Sequence, residues 1–299
     1  MDQIKESSDN MEVVTAERMT PKKKQTKLLH PFSVLVKILV YLSAIITVSV
    51  LVFIIAYILI MGVSNITPEL FEWEYTPENV SMMPAIINTL TMTALTLLMA
   101  VPIGIFSAIY LVEYAKRGSK LVKIIRLTTE TLSGIPSIVF GLFGFLAFVV
   151  AAGWGYSLLA GAITLAIMVL PLIIRTTEEA LLAVPDTYRE GSFGLGAGKL
   201  RTIFKIIVPS AMPGILSGVI LSVGRISGET AALIFTAGTS AGVTTGLFRT
   251  SRTLAVHMYC LLSEGLYTRQ AYATAVVLLI MVILINALSS ILAKKLAKK

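Results

Sequence analysis

Arg225 and Glu229 are the two charged residues in the apolar run Pro213–Phe235. An ionisable side chain at the middle of a bilayer costs roughly 2.5–3.5 kcal/mol on insertion scales, so both must face protein or water. Their separation of four residues predicts that they lie on one helix face and partly neutralise each other. Two readings stand. One is an ion pair that locks helix packing. The other is an element of a solute pathway, because the planar fork of an arginine suits phosphate-like oxyanions. On this basis Arg225 is the one buried cation of the chain. Arg175, followed by Thr176 and Thr177, sits at the end of another apolar run. It is either a snorkelling anchor or a contact at the inner exit for an anion.

Other chemistries lack their residues. Cys260 is the sole cysteine, which excludes an internal disulfide and a cysteine metal cluster. The histidines, His30 and His257, lie far apart and form no metal motif. No His-Glu-x-x-His or nucleophile elbow supports a membrane-bound enzyme. Gly198-Lys199 looks like the end of a phosphate-binding loop, but Phe193 replaces its first glycine and Leu200 its Ser or Thr. The glycines of that stretch follow no predicted strand, so they are not a dinucleotide fingerprint. No cofactor is expected in this chain.

The elements that must position these residues are membrane helices. The chain is 56% hydrophobic and 14% charged, with a mean hydropathy of +0.84. That composition is all-α and polytopic, not soluble. Residues 1–31 form a polar tail with Lys22, Lys23, Lys24 and Lys27, which either sets orientation or touches anionic lipid. The tail is expected to be mobile, and the first apolar run starts too late and is too long for a signal peptide. Residues 32–62 hold the first span, Val34–Met61, and 63–84 an acidic external loop. Residues 85–293 hold five further spans: Ala85–Val112, Leu132–Val150, Leu158–Ile174, Pro213–Phe235 and Ala271–Leu292. Residues 294–299 are a short basic tail. In the last external loop, Thr253–Leu262 is apolar but too short to cross, and is either an interfacial or re-entrant helix or plain packing.

Charge orients the six spans. Twenty Lys and Arg fall in the two tails and in the 2–3 and 4–5 connectors, whereas the other side holds Arg249, Arg252 and Arg269. Both termini are therefore expected in the cytoplasm. This distribution argues against nucleic acid as a partner despite the net charge of +8. The 4–5 connector, 186–209, reads as two short helices separated by Gly194, Gly196 and Gly198. Asp186 is expected to cap the first after Pro185. The second, Lys199–Val208, is amphipathic, with Ile203, Phe204, Ile206 and Ile207 among its cations, and Pro209 is expected to end it.

The connector resembles the EAA loop of ABC-importer permeases. Glu190, Gly191, Ser192, Gly196, Ile206, Val208 and Pro209 keep that spacing without a gap, with Gly191, Ser192 and Val208 as departures. Three further runs resemble the phosphate-importer permeases, of PstA rather than PstC type. They are Arg225–Gly238, with its Gly228-Glu229-Thr230-Ala231 core; Gly134–Gly144; and Ile109–Ala115.

The resemblance implies a type I ABC-importer permease fold in a bacterial-type inner membrane. It implies that Arg189, Glu190, Gly191, Ser192, Gly196, Ile206 and Pro209 couple to an ATPase. It also implies that Arg225, tempered by Glu229, neutralises passing phosphate without holding it. The implied partners are a second permease (PstC), an ATPase dimer (PstB) that holds ATP and Mg, a binding protein (PstS), inorganic phosphate and the lipid bilayer. Sulfate or molybdate importers are the alternative within the class. An ion-coupled secondary transporter is the alternative outside it, and the EAA spacing argues against it.

Overall fold

The computed structural model describes residues 31–116 and 118–297. The expected mobile tail with Lys22, Lys23, Lys24 and Lys27 lies outside the described residues. All regular structure among them is helical. Two compact units are present, the first ending at Ile54 and the second running from Ile55. Helix α1, Pro31–Val63, begins in the first unit, where its apolar side chains are exposed around the whole circumference. An all-round apolar helix without a polar face is a lipid-facing span.

In the second unit, α2 (Met83–Ile109) continues as a widened turn over Tyr110–Tyr114, closed by the Ala115 N–H on the Tyr110 carbonyl at 2.9 Å. Helix α3 (Lys120–Ser133) is amphipathic, with Lys120, Lys123 and Arg126 beside exposed Leu121, Ile124 and Leu127. At Gly134-Ile135-Pro136 the chain bends by 104° into α4 (Ser137–Gly144), which is prolonged to Ala151. Pro136 disfavours helical backbone in the residue before it, which places the break. The apolar run expected as the third span, Leu132–Val150, is thus divided by this bend. The fourth, α5 (Leu158–Leu182), is two turns longer than its apolar run, and Ser157 Oγ caps it by accepting from Ala160 N at 3.3 Å.

The 4–5 connector holds α6 (Asp186–Gly194) and α7 (Lys199–Thr202), as expected. Pro209, however, does not end the second helix. Ile203–Ile207 form a widened turn and the helix continues as α8 (Val208–Ser227), one span of 29 residues from Lys199 to Ser227. The widened turn puts Pro209 at the second position of α8, where a missing N–H breaks no helix bond. A break at Gly228–Thr230 leads into short α9 (Ala231–Thr236), then α10 (Leu254–Glu264) and α11 (Thr268–Ala297). Among the described residues five helices are long and apolar enough to cross a membrane, and the bent pair α3–α4 passes the same test as a broken span or a re-entrant loop.

Helix α5 is the centre. Its most apolar stretch is 61% buried, against 33% for α2 and 17% for α11. Leu165, Met168, Val169 and Ile173 pack with Met92, Phe140 and Leu233, while Leu181 joins Ile203, Ile207 and Ile215 lower down. Helix α8 comes close to α5 through Gly214 and Gly218, four residues apart. A Cβ at Gly214 would lie 2.6 Å from Ala180 Cβ, and one at Gly218 would overlap Thr176 Oγ1. Small residues at that spacing let membrane helices touch along their backbones.

Gly218→Leu should therefore force α8 off α5 and destabilise the chain by about 1–3 kcal/mol or more, read as a lower melting temperature of the detergent-solubilised protein. Thr176→Gly should recover part of the loss of Gly218→Ala. Unchanged melting of Gly218→Leu would refute the contact.

Candidate functional site

Helix α6 is held by one side chain. Arg189 sends Nε and Nη2 to Glu113 Oε1, at 3.1 and 2.7 Å, Nη1 to the Val184 carbonyl at 3.0 Å and Nη2 to the Leu181 carbonyl at 3.1 Å. Its Nη1 also reaches Asp186 Oδ1 at 3.0 Å. Asp186 thus does not cap α6: it is the first helical residue, Pro185 stands at the cap, and its carboxylate serves the arginine. The side chains of Arg189 and Glu113 are 16% and 9% exposed. The pair thus lies largely out of water, where a charge-assisted contact is strong and losing one partner is costly. It ties α6 to the end of α2 and to the carbonyls that follow α5. Beside it is a cleft of about 910 Å³ lined by Glu113, Lys116, Arg126, Asp186, Arg189 and Lys199.

The other residues of the EAA spacing divide between two directions. Glu190, Gly191, Gly196 and Pro209 are exposed, Ile206 is half-buried and Ser192 is buried. Ser192 Oγ meets Thr202 Oγ1 at 2.8 Å and so joins α6 to α7. Gly196 has φ +80°, which allows the reversal between the two helices. The outer surface is more apolar than the spacing alone suggested: Leu195 is 91% exposed, and Tyr188, Phe193 and Leu200 are exposed with it.

Arg225 and Glu229 do not share a helix face. Because the helix starts at Lys199 and ends at Ser227, Arg225 lies in its last turn rather than at mid-span. Glu229 lies in the break and accepts from Ala232 N at 3.2 Å, capping α9. Both are half-buried, and no ion pair joins them. Arg175 projects from α5, well exposed, and pairs with Glu179 at 3.0 Å. The structure therefore brings none of Arg175, Arg225 and Glu229 into direct contact with another.

It does bring two of the motif runs together. Helices α4 and α9, both short and both following a break, pack where a Cβ on Gly141 would lie 2.9 Å from Ala232 Cα. The Gly134–Gly144 and Arg225–Gly238 runs are therefore one packing unit.

Arg252 corrects the expectation that Arg225 is the one buried cation. Counted from sequence as a loop charge, Arg252 is 5% exposed, with its Cζ 4.8 Å from the centre of the Tyr75 ring. The same ring meets His257 edge-on at 6.0 Å. His257 is fully buried on α10, which packs on α11 and α2, so the Thr253–Leu262 run is a packing element. Burial lowers the His257 pKa to about 3, the Arg252 charge acts in the same direction, and the Val80 carbonyl opposes both. The imidazole is thus neutral at physiological pH. Length-and-charge reasoning misses Arg252 because a polar loop holds it, not a span.

Residues 100–299 match the family described as binding-protein-dependent transport system inner membrane component. The probable ABC transporter permease protein YqgI of Bacillus subtilis is 35% identical over 243 residues, 75% of this chain and 81% of that protein. The phosphate transport system permease protein PstA of Pasteurella multocida is 44% identical over 59% of this chain and 63% of its own length. For PstA 1 of Mycobacterium tuberculosis the figures are 39%, 55% and 53%, so the match spans little more than half of these relatives. Among solved structures, the bacterial alginate ABC transporter in complex with alginate pentasaccharide-bound periplasmic protein superposes with a TM-score of 0.63. The coverage is 87% of this chain and 96% of that one, at 16% identity. The inward-facing MetNI methionine ABC transporter gives 0.58, with 75% and 99% covered at 19% identity. At these identities the structures establish the fold, which is that of type I ABC-importer permeases. With five spanning helices and a bent apolar pair among the described residues, a helix at the EAA spacing locked by Arg189 and a family match over residues 100–299, the chain belongs to the binding-protein-dependent transport system inner membrane component family, as an ABC-importer permease.

Proposed function

We propose that this permease carries inorganic phosphate inward through a bacterial inner membrane, with ATP and Mg held by a separate ATPase dimer. The observation that carries the reading is the construction of α6: its inner side is fixed by Arg189 and Glu113, and its outer side presents Glu190, Gly191 and Leu195 to a partner. The PstA names of the relatives at 39% and 44% identity support phosphate as the solute. The half-buried, unpaired guanidinium of Arg225 supports an anion. The partners would be PstC as second permease, PstB as ATPase and PstS as delivery protein. The excess of Lys and Arg beside α6 and in the tails supports cytoplasmic termini.

The geometry suggests how the stroke travels. Closure of the ATPase dimer moves α6. The ion pair passes that motion to the end of α2, and Ser192 with Thr202 passes it to α7. From α7 the helix continues to Arg225, so displacement of its cytoplasmic end reaches the cation along one helix that carries a widened turn at Ile203–Ile207 and a proline at Pro213. Arg225 neutralises the anion in transit, and a conduction site of this kind must release as well as bind. Arg175 stands on α5 with its charge shared with Glu179, available to an anion at the inner mouth. Any ATP hydrolysis belongs to the partner.

Arg225→Ala should reduce phosphate uptake into proteoliposomes at least tenfold while the complex still purifies intact; normal uptake would sink the pathway role. Glu113→Gln should uncouple the cycle. We expect delivery-protein-stimulated ATP hydrolysis to persist while phosphate uptake per ATP falls several-fold, and an unchanged ratio would remove the ion pair from the transmission. Cysteines placed at Glu190 and Leu195 should crosslink to the ATPase in the assembled complex, and their silence there would count against α6 as the docking element. If uptake is driven by a proton or sodium gradient without ATP, the importer reading itself fails.

A further inference from the structure

Arg252 sits in surroundings that are fixed everywhere except at its head group. Asn88 Nδ2 donates to the Arg252 carbonyl at 3.3 Å and to the Gly242 carbonyl at 3.0 Å, while Asn88 Oδ1 accepts from Thr244 N at 2.9 Å. Thr89 Oγ1 accepts from Leu254 N at 2.8 Å. On the other side, Asn79 Oδ1 accepts from the Thr76 and Ser81 N–H groups, and its Nδ2 donates to Glu72 and to the Glu74 carbonyl. That turn holds Tyr75 against the guanidinium. Two polar side chains of α2 and one of the preceding loop thus go into positioning a charge that has no counter-ion: the ion pairs among the described residues involve other arginines.

The free atoms have a pattern. Nε and Nη2 of Arg252 are both buried without a hydrogen-bond partner. These two N–H groups form the side-on edge of a guanidinium, the edge that takes two oxygens of one carboxylate or phosphate in parallel. The Tyr75 ring covers the face, which leaves the edge for a ligand. One cation–π contact is weaker than the penalty for burying an ion without a counter-charge. Two more donors on the same segment are buried without partners, the Ser251 and Thr253 hydroxyls, and the neutral His257, able to donate from one ring nitrogen only, meets the same Tyr75 ring. Helix α10, eleven residues long, starts at Leu254 without a side-chain cap and turns the positive end of its dipole to the same segment. A buried polar group left orphaned in an otherwise satisfied network calls for an ion or a water.

We propose that Arg252, His257 and the first turn of α10 form a second oxyanion site, separate from Arg225, that takes a tetrahedral phosphate-type group on the Nε–Nη2 edge. The group is either a free inorganic anion or the phosphate of a lipid headgroup. The site is independent of which solute the permease carries. Because the edge is shut off from solvent, the Tyr75 loop or the segment before α10 opens to admit the ligand.

The test uses the assembled transporter without its delivery protein, in an Arg225→Ala background so that pathway binding is absent. Melting temperature is followed against inorganic phosphate and sulfate, with chloride as control, in delipidated detergent. Phospholipid retained through purification is quantified by mass spectrometry. With a free anion as ligand, phosphate or sulfate raises the melting temperature saturably, and Arg252→Gln or Arg252→Lys shifts the half-saturating concentration at least tenfold. The lysine keeps the charge and loses the fork, so it reports on recognition even if the glutamine variant folds poorly. With a lipid as ligand, free anions have no effect, but phospholipid co-purifies with the protein and is lost in Arg252→Lys. Equal anion response and equal lipid retention in all three proteins would overturn the site. Loss of uptake in Arg225→Ala bears on the pathway alone and leaves this result untouched.

Discussion

Helix α5 can be the centre of the molecule because its neighbours lack side chains where they touch it. Gly214 and Gly218 of α8 meet Ala180 and Thr176, and Gly104 of α2 meets Ile173. Lipid offers no hydrophobic drive for two apolar helices to associate, so close packing of backbones must supply the attraction. Once α8 is seated in this way, α7 is carried to the end of α5, and the carbonyls of Leu181 and Val184 come within reach of Arg189. The ion pair that fixes α6 is thus a consequence of the contact at Gly218.

The breaks follow a related logic. Non-helical backbone inside a membrane protein is tolerated where protein covers it. The short helices that follow the breaks, α4 and α9, pack on each other, while Gly134, Pro136 and Gly228 at the breaks themselves are exposed. Glu229 helps by giving its carboxylate to the start of α9 instead of to Arg225. The local demand of an uncapped helix outweighs a distant charge, because a backbone N–H left unpaired away from water has no alternative partner.

What was legible in the sequence was whatever depends on runs and counts. Apolar length and the spacing from Glu190 to Pro209 are one-dimensional properties, and the long helices fall on the apolar runs, although the helix that carries Arg225 starts and ends earlier than its run. What was not legible depends on three-dimensional neighbours. Asp186 reads as a cap, but Arg189 is close enough to claim its carboxylate. Pro209 reads as a stop, but a widened turn upstream moves it to a helix start. Arg225 and Glu229 read as one face, but Gly228 ends the helix between them. Arg252 reads as an ordinary loop charge because nothing in its own segment shows that Tyr75, from a loop 177 positions earlier, will cover it. The same one-dimensional view gave Glu190 the docking role and overlooked Leu195, whose exposure follows from the sharp reversal at Gly196.

The loss of the expected stop at Pro209 changes how the two functional regions are related. A joint there would let α7 swing while Arg225 stayed still. A helix that runs on from Lys199 to Ser227 confines that freedom to Pro213, inside the helix, and to the widened turn Ile203–Ile207, whose residues Ile203 and Ile207 are fully buried. Buried packing of that kind resists bending, because interiors are close-packed and deform by switching between arrangements instead of yielding continuously. Movement of α7 therefore tilts the helix about its contact with α5, bends it at Pro213 or unseats that turn. Tilting about Gly214 and Gly218 displaces the two ends in opposite directions. Arg225 lies nearer to this pivot than Lys199 does, so a push at Lys199 becomes a smaller shift in the opposite direction at Arg225. The contact that builds the fold is then also the fulcrum on which the proposed transport stroke turns.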